Sequence, residues 1–306
     1  MAVRDWVLSG IRYGLAASLL SHGVAYPAEE PVPPSRWGAR DQIGNANLLS
    51  PELAKKAAAL ITQGRVYSLG ITVDENTNLN PARSFSLELA QIKDLKEGGT
   101  AIDDTLHMSL GIGSQIDGFG HFGINGVHYN QNKVDDIFTP TGVKKLGVEG
   151  IPPLVTRGVL LDIEKILDQA LLEQDAGFGS KEIRLAEKRE RVSIQAGDVV
   201  LFNTGWLKRW QGGKLGPAPG LTAEGAEYLA RKGVIAVGAD NGSVDTWSAD
   251  TFPVHRVLLV RNGIYLLEYI KTEELARDEV YQFMFVLGQP KIKGTVQMSI
   301  NPIAIR

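Results

Sequence analysis

The chain contains no cysteine. Disulfides, thiolate catalysis and sulfur-held zinc are therefore excluded, and any metal must be bound through nitrogen and oxygen. Histidine is scarce as well. There are five in 306 residues, so every imidazole can be named: His22, His107, His121, His128 and His255. No basic run supplies the electrostatic footprint of a nucleic-acid binder, and the formal net charge is -3. No later apolar run reaches the ~18 residues that a membrane span needs. What is present is ordinary for a globular chain, 43% hydrophobic and 22% charged, with length enough for a sizeable core.

Residues 1–34 read as a leader or an arm. Arg4 and Arg12 precede a modestly apolar stretch from Tyr13 to Ala28, and the Pro-rich EEPVPPS (29–35) follows. That order is the order of a secretory signal peptide. The competing reading is an amphipathic arm that stays attached and packs on a neighbouring subunit. Cleavage would make the protein periplasmic or secreted; retention would leave it cytoplasmic. Residues 35–306 read as one continuous domain.

Periodicity predicts many strands with a few helices between them, an α/β chain with a mixed sheet. SPELAKKAAALITQGR (50–65) reads as a helix capped by Ser50 with Pro51 in its first turn. LTAEGAEYLARKG (221–233) reads as a helix between Thr222 and Gly233. Strands are expected at 66–73, 105–117, 157–163, 198–205, 234–240, 283–288 and 295–305. Residues 252–270 read as a helix or strand, a turn at Asn262-Gly263, and a further strand. A short helix is expected over 165–174. Residues 75–100 read as a long loop, and the charged stretch 179–196 as an exposed excursion.

The chemistry concentrates in GSQIDGFGHFG (113–123). On an extended backbone Gln115 and Asp117 face the same side, about 7 Å apart. Gly118 and Gly120 permit a turn that swings His121 back over them. An amide and a carboxylate are hard ligands that need partners from elsewhere. His107 lies about 26 Å from Gln115 if both are on one strand. His128 follows the loop and can reach. His255 and Glu268 stand in apolar runs, and the turn at 262–263 brings those runs together. A buried glutamate must be paired, protonated or metal-bound. Plainer readings exist for each: His255 as a core histidine, Glu268 paired with Arg256 or Arg261, Asp117 as a turn residue.

SQIDGFGHFG resembles the signature of the metal-dependent cyclase family, H-x-x-x-H-x-D-x-x-x-H, a family that includes bacterial kynurenine formamidase, isatin hydrolase and trans-dienelactone hydrolase. RWGARDQIGNANLLSPE (36–52), VLFNTGW (200–206), PGLTAEGAEYLARKGVIAVGADNGSVD (219–245), VHRVLLVRNGIYLLEYI (254–270) and INPIAI (300–305) resemble it too, in order. The resemblance implies a swivelling β/β/α domain with a mixed sheet or barrel and flanking helices, and a homo-oligomer, dimer or tetramer. It implies Asp117 as metal-bridging aspartate, His121 as catalytic histidine, and His255 and Glu268 as distal ligands. Gln115 and Gly111 stand where the signature has imidazoles. One metal, Mn²⁺ or Zn²⁺, is therefore expected, with Gln115 as a weaker ligand or a hydrogen-bond donor to bound water. His128 is a possible extra ligand. Ser243 and Asp245 are expected to support the site from behind. Phe119, Phe122, Trp37, Trp206 and Trp247 are candidates for a pocket around a flat, mostly apolar small molecule, although scattered aromatics also build cores.

The reading is a hydrolase for an amide, cyclic amide or lactone, in which water on the metal is deprotonated by His121. Its rivals are a lyase or dehydratase using the same metal, and a catalytically silent small-molecule binder whose site lost its metal.

Overall fold

Four apolar segments form the centre of the molecule. Leu154–Asp162, Val199–Asn203, Ala236–Ala239 and Tyr265–Glu268 lie side by side in parallel. Every residue of the last three strands is buried, as expected of strands covered on both faces. Parallel neighbours need crossovers, and helices supply them. Ser180–Glu190 links the first pair and Ala223–Lys232 the second; Pro253–His255, continued by the π-helical turns of Arg256–Arg261, links the third. Ala223–Lys232 starts where Thr222 accepts the Gly225 N–H at 3.2 Å and stops at Gly233, φ +76°.

Antiparallel strands extend the sheet on both sides. Its order is Val66–Ser68, Ile303–Ile305, Gln282–Leu287, Leu154–Asp162, Val199–Asn203, Ala236–Ala239, Tyr265–Glu268, Gln115–Asp117 and Gln297–Ser299. The result is a mixed α/β fold with a curled, nine-stranded half-barrel and flanking helices. The computed structural model describes residues 31–77, 83–92, 96–168, 172, 175–210, 216–246 and 251–306. The apolar stretch of the leader, His22, Trp247 and part of the helix expected over 165–174 lie outside the described residues. Val32–Arg306 is one compact unit. No described helix is long and apolar enough to cross a membrane.

The single strand expected over 295–305 is two, Gln297–Ser299 and Ile303–Ile305, at opposite sides of the sheet, because Pro302 between them breaks the run. Two further segments differ from the sequence reading. The charged stretch read as an exposed excursion contains the helix Ser180–Glu190, which buries Ser180, Ile183, Ala186 and Glu190. Those positions are three or four apart, so they form one face; the charges between them hid the period. The second difference lies at 75–117. Part of the expected loop is the strand Phe85–Ile92, paired antiparallel with Ala101–Met108. A turn at 109–114 then separates this ribbon from Gln115–Asp117, so 105–117 is not one strand. Leu87, Leu89, Ile102 and Leu106 lie on one face of the ribbon and are at least half exposed, the least exposed being Leu106 at 50%.

Candidate metal centre

Strand alternation assembles the floor of the site. Gln115 and Asp117 point to one face of the sheet while Ile116 between them is fully buried in the core. Glu268 is the cross-strand partner of Gln115, and Gln297 is that of Asp117 on the other side. Cross-strand partners share a face, so four polar side chains from three strands stand together. Gln115 Nε2 donates to Glu268 Oε2 at 2.8 Å and to Asp117 Oδ1 at 3.2 Å. Gln297 Nε2 donates to the same Asp117 Oδ1 at 2.7 Å. Asp117 Oδ2 is buried and accepts no hydrogen bond.

His255 reaches this floor from the crossover helix. Asp245 Oδ1 accepts the Val254 N–H at 2.6 Å, which caps the helix, and Asp245 Oδ2 lies 2.6 Å from His255 Nδ1. With Nδ1–H donating to Asp245, the other ring nitrogen is left facing the floor. It stands 3.5 Å from Asp117 Oδ2 and 3.7 Å from Glu268 Oε1. Ser243 hydrogen-bonds the Asp245 carbonyl at 3.1 Å.

His121 closes the third side. The chain turns after Asp117, with the His121 N–H donating to the Gly118 carbonyl at 2.9 Å. Close approach, and not a left-handed backbone, requires glycine at 120: a Cβ there would stand 2.9 Å from the Val296 side chain and 3.1 Å from the Leu146 carbonyl. One donor atom each from Asp117, His121 and His255 then lie within 4.8 Å of one another.

The charges fit a cation. Burial alone would depress the His255 imidazolium, but Asp117 and Asp245, close to its two ring nitrogens, override it and push its pKa up to about 10. Burial would raise the Asp117 carboxyl; the His121 and His255 imidazoles beside it and the Gln297 hydrogen bond hold it down at about 2. Burial, then the Asp117 charge, drive Glu268 well above the ordinary carboxylate range. Burial lowers His121, toward the neutral form that donates to a metal. Two buried carboxylates side by side cannot both ionise unless positive charge lies between them. A divalent ion among Asp117 Oδ2, His121 and His255 meets that need.

Other candidates stand elsewhere. Phe119 stacks on Tyr265 at 4.5 Å and 5° and belongs to the core. His128 meets the Phe119 carbonyl at 3.2 Å and props the turn that carries His121. Trp206 packs with Trp210 and Tyr269 in a separate small cluster. Trp37 is 37% exposed. His107 sits on the projecting ribbon, paired with Ser86. Phe122 does frame the centre, and so does Phe252, which the sequence reading did not name; each is 5.4 Å from the His255 ring. A cavity of about 300 Å³ lined by Ile71, Leu207, Lys208, Asp240, Lys271 and Glu273 contains none of the cluster.

Sequence reasoning also missed two polar residues. Gln297 is a polar residue on the inner side of a closing strand, a signal available once the register is known. Arg83 donates from Nη1 to Gln115 Oε1 at 2.9 Å; in a polar stretch read as loop, nothing marked it.

The comparisons agree with this geometry. Among curated proteins none matches the chain. A crystal structure described as a novel cyclase is 25% identical, with a TM-score of 0.80, over 88% of this chain and 96% of that one. Isatin hydrolase A from Labrenzia aggregata is 20% identical, with a TM-score of 0.62, over 83% and 98%. A structure named as a potential metal-dependent hydrolase with cyclase activity is 18% identical, with a TM-score of 0.52, over 78% and 98%; these last two share the fold. The family model Cyclase ("Putative cyclase") matches residues 67–246, from the first sheet strand through Asp117 and His121 to Asp245. With more than half its length matched and the polar cluster standing on the family's sheet, the chain belongs to the cyclase family.

Proposed function

We propose that the protein is a metal-dependent hydrolase that cleaves an amide, cyclic amide or lactone bond in a flat, mostly apolar small molecule. The observation that carries this is the convergence of donor atoms from Asp117, His121 and His255 beside a buried carboxylate oxygen with no hydrogen-bond partner. The solved structures named as isatin hydrolases and metal-dependent hydrolases support it. A bound Mn²⁺ or Zn²⁺ supplies a polarised carbonyl and an acidified water. Asp245 fixes the His255 ring, Gln115 and Gln297 hold the carboxylates, and Phe122 and Phe252 present aromatic surface to the substrate.

His121 and Glu268 divide two roles, ion donor and proton acceptor from water. The 4.8 Å convergence favours His121 as the donor and Glu268 as the acceptor. The 3.7 Å approach of Glu268 to His255 favours the reverse. Elemental analysis of His121→Ala and Glu268→Gln separates them, because loss of the donor lowers metal content whereas loss of the acceptor removes turnover alone. The reading itself is tested by titrating the purified chain with Mn²⁺ and Zn²⁺ and screening N-formyl arylamines, isatin and dienelactones. Oxygen-18 from water in a product carboxylate marks hydrolysis; its absence from a turned-over product points to the lyase. A chain that binds neither ion is the silent binder. The same reading carries a homo-oligomer, which the apolar ribbon face supports; a monomer by light scattering refutes it.

A further inference from the structure

We propose that Arg83 is the substrate-anchoring cation of the centre, and that it selects molecules carrying a carboxylate or equivalent oxyanion close to the scissile bond. This rests on the metal-dependent reading above and specifies its substrate class.

Arg83 enters from the base of the ribbon, where Ser84 and Ser109 pair through their backbones at 2.9 Å. One N–H of its guanidinium is committed to Gln115 Oε1 at 2.9 Å, and Gln115 in turn donates to Asp117 and Glu268. The guanidinium is thus two hydrogen bonds from the carboxylates of the cluster. Among the described residues no carboxylate comes within 4.0 Å of it, and Gln115 is the hydrogen-bond partner seen there. Arginine offers five donors in a planar fork that matches a carboxylate two-to-two. A half-buried fork with one prong occupied, beside a metal-binding cluster, is a receptor for an anion.

The neighbouring glycine makes room for it. A Cβ on Gly111 would stand 2.7 Å from Arg83 Cζ, 2.9 Å from its Nη1 and 2.8 Å from Gln297 Oε1. Any side chain at 111 would compete with the guanidinium for the same volume.

The test uses the full chain loaded with Mn²⁺ and a matched pair of probes, benzoate and benzamide, with affinities from calorimetry. The wild type is expected to prefer benzoate by tenfold or more. Arg83→Met should reduce that preference about tenfold, with Mn²⁺ stoichiometry unchanged, and Arg83→Lys should restore part of it. Gly111→Ala, which displaces the fork but keeps its charge, should also weaken benzoate selectively. If Arg83 only positions Gln115, Arg83→Met would weaken both probes alike; an unchanged ratio overturns the proposal while leaving the hydrolase reading intact. A wild-type chain that binds no divalent ion overturns both.

Discussion

Glu190 shows what burial does to a single charge. Its Oε1 accepts the Asp162 backbone N–H at 2.8 Å, and its Oε2 is buried with no hydrogen-bond partner. Burial pushes the carboxyl up to about 7 from an ordinary 4.5. In the unfolded chain the proton leaves near 4.5, whereas the folded chain holds it to about 7. This group therefore favours folding least above about pH 7, and the loss accrues as pH rises between the two values. Glu190→Gln keeps the acceptor and cannot ionise. It should leave stability nearly unchanged at pH 4.5 and raise it by roughly 1–3 kcal/mol at pH 8, read from denaturant midpoints. Equal midpoints at pH 8 would show the carboxylate already ionised in the folded state at no cost. Single residues were also the scale at which sequence reading divided most sharply. Asp117 and His121 were marked by their place among glycines; Arg83 was invisible, because its role depends on where a ribbon base happens to pack.

At the scale of elements, the site depends on how closely backbones approach. Gly220 pairs with Gly177 in a short parallel bridge, and Leu221 bridges to Asp245. A Cβ at 220 would stand 2.2 Å from the Asp245 carbonyl oxygen and 2.3 Å from the Thr246 nitrogen. Gly220→Ala must push away the segment whose carboxylate both caps the crossover helix and orients His255. Overpacking of this kind costs about 1–3 kcal/mol, and a displaced orienting carboxylate weakens metal binding by about 10–100-fold. Thermal melts with and without Zn²⁺, together with a Zn²⁺ titration, read both. A destabilised variant with wild-type Zn²⁺ affinity would separate Asp245 from metal binding. The parallel strands were legible because burial on both faces leaves a continuous apolar run. The helix Ser180–Glu190 was not, since its buried face is narrow, and neither was the ribbon, whose apolar face meets solvent.

For the whole molecule, a cation bound only by the folded state adds to stability by mass action. At one hundred times its Kd it contributes about 2.7 kcal/mol, which for a chain of this size is a rise of several degrees in the melting temperature. Mn²⁺ or Zn²⁺ should produce that rise and a chelator should reverse it; no shift with either ion would argue for the silent binder. Composition and pattern alone determined the α/β class, the exclusion of sulfur ligands, and the short stretch where chemistry gathers, because residue type and period are local properties. Only the tertiary structure decided the company that stretch keeps. Gln297 stands 180 residues from Asp117, Glu268 153 from Gln115 and Arg83 32 from it, and their meeting with His255 depends on strand register and helix crossover, which no local pattern encodes.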